Sequence, residues 1–143
     1  LRDIADRGGH KFAIVTEMLD VRNRALAGIA KADDFVVSDE LISLLLSQIS
    51  ENKHLNAVFK DLFDPEGCEI YLKPAGDYVV LDHPVNFYTV VEAARRRGQV
   101  AFGYRQAAES GSAEKSYGVV INPDKSKLIT FAQGDRIILL AED

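Results

Sequence analysis

At 143 residues the chain is about one domain's worth, or two small lobes sharing a core, and its 47% hydrophobic content is enough to build that core rather than leave the chain disordered. Seventeen basic against 22 acidic residues, a net charge of -5, favours solubility and argues against nucleic acid or anionic lipid as the main partner. The single cysteine, Cys68, excludes an internal disulfide and fits a reducing, intracellular setting, and the longest apolar runs fall far short of the ~20 residues that span a bilayer, so no direct membrane insertion is expected.

The chain opens on Leu1, which is not an initiator residue, and is read as a piece of a longer polypeptide. Lys11-Phe12-Ala13-Ile14-Val15-Thr16 is nearly all apolar and predicts a buried strand of a parallel sheet. An alanine-rich helix is expected over 22–30, then a short strand at Asp34-Phe35-Val36-Val37. Strand, helix, strand at this spacing is a βαβ unit with a right-handed crossover.

Ser38 or Asp39 is placed to cap the next helix. Its Leu41, Ile42, Leu44, Leu45, Leu46 and Ile49 cover an arc of roughly 200°, wider than the ~100° stripe of an ordinary surface helix. After a break near Asn52-Lys53 a second helix carries Leu55, Val58, Phe59, Leu62 and Phe63 on a narrower stripe. Either both helices cover one small core, or they pack against a second copy. The second is preferred, because so short a chain has little surface of its own to bury both sides. Leu41, Ile42, Leu45, Leu46, Ile49, Leu55, Val58, Phe59 and Leu62 are therefore read as a dimer interface.

Asp64-Pro65-Glu66-Gly67 has turn chemistry. Cys68, Ile70 and Leu72 alternate with Glu69, Tyr71 and Lys73, which predicts a half-buried strand with the first set inward. Breakers follow at Lys73-Pro74-Ala75-Gly76-Asp77 and Asp82-His83-Pro84, and the lobe boundary is placed near Pro84, giving lobes 1–84 and 85–143. The last third reads as a helix from Asn86-Phe87-Tyr88 to Arg95-Arg96-Arg97-Gly98, a strand through Phe102-Gly103-Tyr104-Arg105, a small, polar and mobile hairpin loop over 107–116, a strand closed by Asn122-Pro123, and a last strand opened by Gly134-Asp135.

These residues resemble the C-terminal lobe of RCK domains, the cytosolic regulators of potassium conductance. Glu17-x-x-Asp20 after the first strand, Ala32-Asp33-Asp34 before the second, and the helix pair over 38–63 resemble the second half of the RCK nucleotide-fold lobe. Within that group, Phe87-Tyr88 at the helix start, Gly103-Tyr104-Arg105 on the strand and Asn122-Pro123-x-Lys125-Ser126-Lys127-Leu128 resemble the Castor/Pollux ion channels most. The fold this implies is α/β: the second half of a Rossmann-like parallel sheet, a crossover helix pair, then a small α+β RCK C-terminal lobe. The function it implies is a non-catalytic gating domain of a ligand-gated monovalent cation channel, on the cytoplasmic side of a membrane. Its partners would be itself, as a dimer and then a ring, and the pore domain of the same polypeptide. The alternatives are the regulatory subunit of a potassium uptake system, built from the same lobes, and the tail of a nucleotide-dependent oxidoreductase.

Some RCK channels are activated by calcium, through two acids two residues apart after the first strand. Glu17 matches the first, Leu19 stands at the second, and Asp20 is the next acid. A hard cation needs several oxygen ligands, so the plainer reading puts Glu17 at a strand end and Asp20 at a helix cap. Calcium at Glu17 and Asp20 is the metal role the resemblance raises. The dinucleotide-binding glycine turn of a complete RCK lobe is not matched by Gly8-Gly9, so no nucleotide site is assigned in this chain.

Elsewhere no residues suggest catalysis. His10, His54 and His83 lack ligand spacing, Ser38-Asp39-Glu40 is a helix start, and Cys68 is read as a small core residue. The acidic clusters Asp33-Asp34, Asp61-Asp64-Glu66 and Glu142-Asp143 lack the calcium-loop pattern. Arg95, Arg96 and Arg97 are read as cations at the negative end of a helix, with Gly98 as its left-handed stop. Phe87, Tyr88, Phe102 and Tyr104 are spaced as packing residues, the two tyrosines with hydroxyls available to an interface.

Overall fold

The computed structural model describes residues 8, 15–18, 34–64 and 66–142. Its contacts divide the chain into two units, Leu1–Ala57 and Val58–Asp143. In the first unit, strand β1 (Val15–Met18) pairs in parallel with β2 (Asp34–Val37), Val15 opposite Asp34 and Met18 opposite Val37. The parallel pairing agrees with the sequence. Residues 11–14 and the helix expected over 22–30 lie outside the described residues.

Helix α1 (Ser38–Glu51) follows β2 directly. Its N-cap is Val37 and no side chain caps it, so the cap expected from Ser38 or Asp39 is not formed. The Ser38 hydroxyl instead donates to a carboxylate oxygen of Glu17. The chain leaves α1 at Asn52, whose side chain accepts from His54 N at 3.0 Å, and helix α2 (Leu55–Leu62) begins. The break is where the sequence puts it.

The second unit is built on a four-stranded antiparallel sheet, ordered β3 (Glu69–Pro74), β8 (Arg136–Ala141), β5 (Val100–Arg105), β6 (Val119–Ile121). A separate ribbon pairs β4 (Pro84–Asn86) with β7 (Leu128–Thr130). Helix α3 (Phe87–Arg95) lies between β4 and β5 in the chain. It starts because the Asn86 side chain accepts from Thr89 N at 3.0 Å, and it buries Phe87, Val90 and Ala94, the three- and four-residue spacing of one helix face. It stops at Gly98, at φ +72, where Gln99 N donates to Ala94 O and Gly98 N to Arg95 O, both at 3.0 Å. These are the two bonds of a Schellman closure, and the left-handed residue that makes them is the one the sequence names.

The core holds Phe87, Val90, Phe131, Ile137 and Leu139, each fully buried. Tyr104 sits between Phe87 and Phe131, with ring centroids at 6.1 and 5.5 Å, the second pair edge-on. One expectation is reversed. Strand β3 forms, but Tyr71 packs on the core while Ile70 and Leu72 are each 46% exposed. Tyr71 stands opposite Leu139 of β8, an inward residue, and Leu72 opposite Ile138. Register with the neighbouring strand, not the apolar rank of the side chains, decides which face turns inward.

Candidate functional site

Helices α1 and α2 carry the residues read as a pairing surface. Neither helix has a fully buried residue. Leu41, Ile42, Leu46 and Val58 are exposed, with Leu46 at 61%, and Leu45, Ile49, Leu55, Phe59 and Leu62 are half-buried. Leu44 and Phe63 are 60% exposed as well. Phe59 and Phe63 stack at 6.4 Å along the α2 face. Large aliphatic side chains left in water each forgo about 1.5–3 kcal/mol of burial.

The metal reading is divided by the structure. The Glu17 side chain is exposed and one of its oxygens accepts from Ser38, while Asp20 lies outside the described residues. Among the described residues no three His, Cys, Asp or Glu side chains come together as a metal site. His54 and His83 are exposed, the latter with Nδ1 3.0 Å from Leu81 O, and His10 lies outside the described residues.

Cys68 is half-buried at the sheet edge rather than in the core, with Sγ donating to Glu142 Oε1 at 3.7 Å. Desolvation first, and the Glu142 carboxylate second, raise its thiol pKa, which works against a thiolate.

The three arginines at the end of α3 are engaged by neighbouring groups. Glu92 receives Arg95 Nε at 2.7 Å, Arg95 Nη2 at 3.0 Å and Arg96 Nε at 2.9 Å, and these hydrogen bonds pull its carboxyl down to about 2. Arg97 lies 4.7 Å over the Tyr78 ring and donates to Asp77 O. Tyr78 in turn donates to Gln99 Oε1 at 2.7 Å, and burial raises its phenol pKa although Arg97 draws it the other way. The result is an open cleft of about 630 Å³ lined by Asp77, Tyr78, Tyr88, Glu92, Arg96 and Arg97 among others. Tyr88 is 60% exposed, whereas Tyr104 is buried, its phenol pKa raised by desolvation, so its hydroxyl does not serve an outer surface.

The motifs near 87, 104 and 122 converge. Lys125 O accepts from Tyr88 N at 3.2 Å, and Lys125 Nζ lies 5.3 Å from the Phe87 ring while donating to Asn122 Oδ1 and Pro123 O, both at 2.8 Å. The loop after β6 thus closes the start of α3, whose Phe87 packs on Tyr104. Sequence reasoning missed Asp135, a buried carboxylate that accepts from Ala107 N at 2.8 Å and Ala132 N at 2.9 Å and ties two loops together. The Gly-Asp pair gave only a turn signal.

No protein-family model matches the chain. Curated relatives do. It is 35% identical over 132 residues to the probable ion channel POLLUX of Arabidopsis thaliana, covering 92% of this chain and 15% of that protein. To the ion channel DMI1 of Medicago truncatula it is 33% identical over 132 residues, 92% of this chain and 14% of that protein. To the ion channel CASTOR of Lotus japonicus it is 35% identical over 113 residues, 79% of this chain and 12% of that protein. Among solved structures it is similar to the GsuK RCK domain, with a TM-score of 0.40 and 16% identity over 97% of this chain and 26% of that one. The GsuK channel bound to NAD gives a TM-score of 0.39 and 18% identity over 96% of this chain and 22% of that one. The chain therefore spans a small part of the length of the relatives it matches.

Proposed function

We propose that this chain, a homologue of the Castor/Pollux ion channels, is the cytosolic gating part of a ligand-gated monovalent cation channel of the potassium type. The observation that carries the reading is the 35% identity to an ion channel that runs through 92% of the chain. On this reading the chain does no bond chemistry. It pairs with itself through the apolar faces of α1 and α2, the pairs join into a ring, and ligand binding changes the ring's shape and pulls on a pore carried by the same polypeptide. The exposure of Leu41, Ile42, Leu46 and Val58 supports the pairing step, since a lone chain leaves those faces wet.

Sedimentation of the purified chain tests that step. The wild type is expected above monomer mass at micromolar concentration, and Leu45→Glu with Ile49→Glu should lower the mass of the species while leaving the far-UV circular dichroism of the second unit intact. An unchanged mass would mean that these helices are not the pairing surface. Repeating the runs with calcium tests whether Glu17 and Asp20 hold a gating ion, and a profile that calcium leaves alone removes them from the mechanism. In the full-length protein the same double substitution should abolish regulation of potassium flux into liposomes, and a chain without pore helices in its full-length form would refute the channel reading.

A further inference from the structure

The cleft beside α3 holds two charges that its own residues leave unanswered. One wall is the face of α3 with Tyr88 and Glu92, continued by Arg96, and the other is the turn Ala75–Asp77 with Tyr78. Glu92 and Arg96 are taken up by each other, since Arg95 and Arg96 fill the Glu92 carboxylate with three hydrogen bonds. Asp77 and Arg97 are not. Asp77 is exposed and, among the described residues, its carboxylate accepts no hydrogen bond and joins no ion pair. Arg97 also lacks an ion pair among the described residues. It donates instead to the backbone oxygen of Asp77, so a carboxylate and a guanidinium line the cleft as neighbours without neutralising each other.

Arg97 is also held in place. Its guanidinium lies 4.7 Å over the Tyr78 ring, and that buried ring is fixed in turn by its hydroxyl, which donates to Gln99 Oε1 at 2.7 Å. The stack and the backbone hydrogen bond orient the fork while leaving most of its five N–H donors for a ligand. A guanidinium oriented before its partner arrives loses little freedom on binding, which separates Arg97 from an ordinary surface arginine.

We infer that this cleft binds a small zwitterion, a free amino acid, whose carboxylate takes the Arg97 fork and whose ammonium takes the Asp77 carboxylate. Charge decides the class. A phosphate or another dianion would answer Arg97 but sit beside Asp77 with no further cation to offset the repulsion, because Arg95 and Arg96 are occupied by Glu92. A simple cation would answer Asp77 but face Arg97. A molecule with one charge of each sign meets both, and charge-assisted hydrogen bonds at each end fix its orientation. The volume of about 630 Å³ lies in the range of small-ligand pockets. Every residue of the site belongs to the second unit, so the inference stands apart from the channel reading and from pairing through α1 and α2.

An NMR titration of the purified chain with each standard amino acid, and with β-alanine and γ-aminobutyrate for wider charge separation, reads the site directly. At least one of them is expected to shift the amide resonances of Asp77, Tyr78 and Arg97 saturably, with a dissociation constant on the order of 1 mM or below. The N-acetyl derivative and the carboxamide of that amino acid, each lacking one charge, should bind at least about tenfold more weakly. Arg97→Gln and Asp77→Asn should each weaken binding by a similar factor. In Asp77→Asn, N-acetylation should make little further difference, because the ammonium has already lost its partner. Arg97→Lys keeps the charge but not the fork and should fall between Arg97→Gln and the wild type. Both positions are exposed, and unchanged amide resonances outside the cleft confirm that each variant keeps the fold. No saturable shift from any of these compounds at tens of millimolar overturns the proposal, as does binding that both Arg97→Gln and Asp77→Asn retain. Acetate or inorganic phosphate binding as tightly as the best amino acid would leave only an oxyanion contact at Arg97. Methylamine doing so would leave only a cation contact at Asp77. Either result overturns the zwitterion site.

Discussion

Glu92 shows how much of a residue's behaviour is set by its immediate neighbours. Three hydrogen bonds from Arg95 and Arg96 favour its charged form and bring its carboxyl from 4.5 to about 2. A depressed acid adds stability above its unfolded pKa and loses it as the pH falls through the folded one, so this contribution is full above about 4.5 and fades toward 2. The group is exposed, so the effect on stability is small and the titration itself is the measurement. Carbon-13 NMR of the Glu92 carboxyl is expected to place its midpoint well below 4, and Arg95→Gln with Arg96→Gln to return it toward 4.5. A wild-type midpoint near 4.5 would dissolve the cluster. The spacing of this cluster, three and four residues along one helix, is legible in the sequence, yet the helix-end reading of the three arginines hid it. Arg97 over Tyr78 and Ser38 on Glu17 were not legible, because those partners stand about twenty residues away and only the fold brings them together.

At the level of the element, two glycines with positive φ separate backbone strain from crowding. Gly98 closes α3 at φ +72 with nothing within 4 Å of where a Cβ would stand. Gly118 precedes β6 at φ +80, and a Cβ there would lie 2.2 Å from Gln106 O. Gly98→Ala should therefore cost only the left-handed penalty, about 1 kcal/mol, and Gly118→Ala clearly more, on the order of 3 kcal/mol, because the backbone between β5 and β6 must also move. Urea unfolding of both variants checks the order, and equal losses would show that the tight approach at Gln106 is not maintained. The closure at Gly98 was readable because a helix stop is local chemistry. The inward face of β3 was not. Cys68, Ile70 and Leu72 are apolar, but β8 is apolar on both faces, so hydropathy gives no preference and the pairing of Tyr71 with Leu139 settles the register. The ribbon of β4 and β7 escaped notice for a related reason. Each strand has three residues, one begins at Pro84, and a proline there reads as a breaker until Thr130 is found opposite it.

For the whole chain, the organising contact joins its middle to its end. Strand β3 pairs with β8 over six residue positions, from Glu69 with Ala141 to Pro74 with Arg136. A cut near residue 84, where prolines and glycines punctuate the sequence, leaves β8 with one open edge and removes Tyr71, Ala75 and Tyr78 from the core cluster. A cut at Asp64 keeps all of them. The fragment 64–143 is expected to fold alone, with a cooperative thermal transition and dispersed amide resonances, whereas 85–143 should expose a hydrophobic edge and aggregate or remain molten. Cooperative folding of the shorter fragment would show that β3 is an ornament on a lobe complete without it. Failure of the longer one would mean that α2 or the first unit supplies part of its stability, and the break between Ala57 and Val58 would then mark a change in contact density and not a folding boundary.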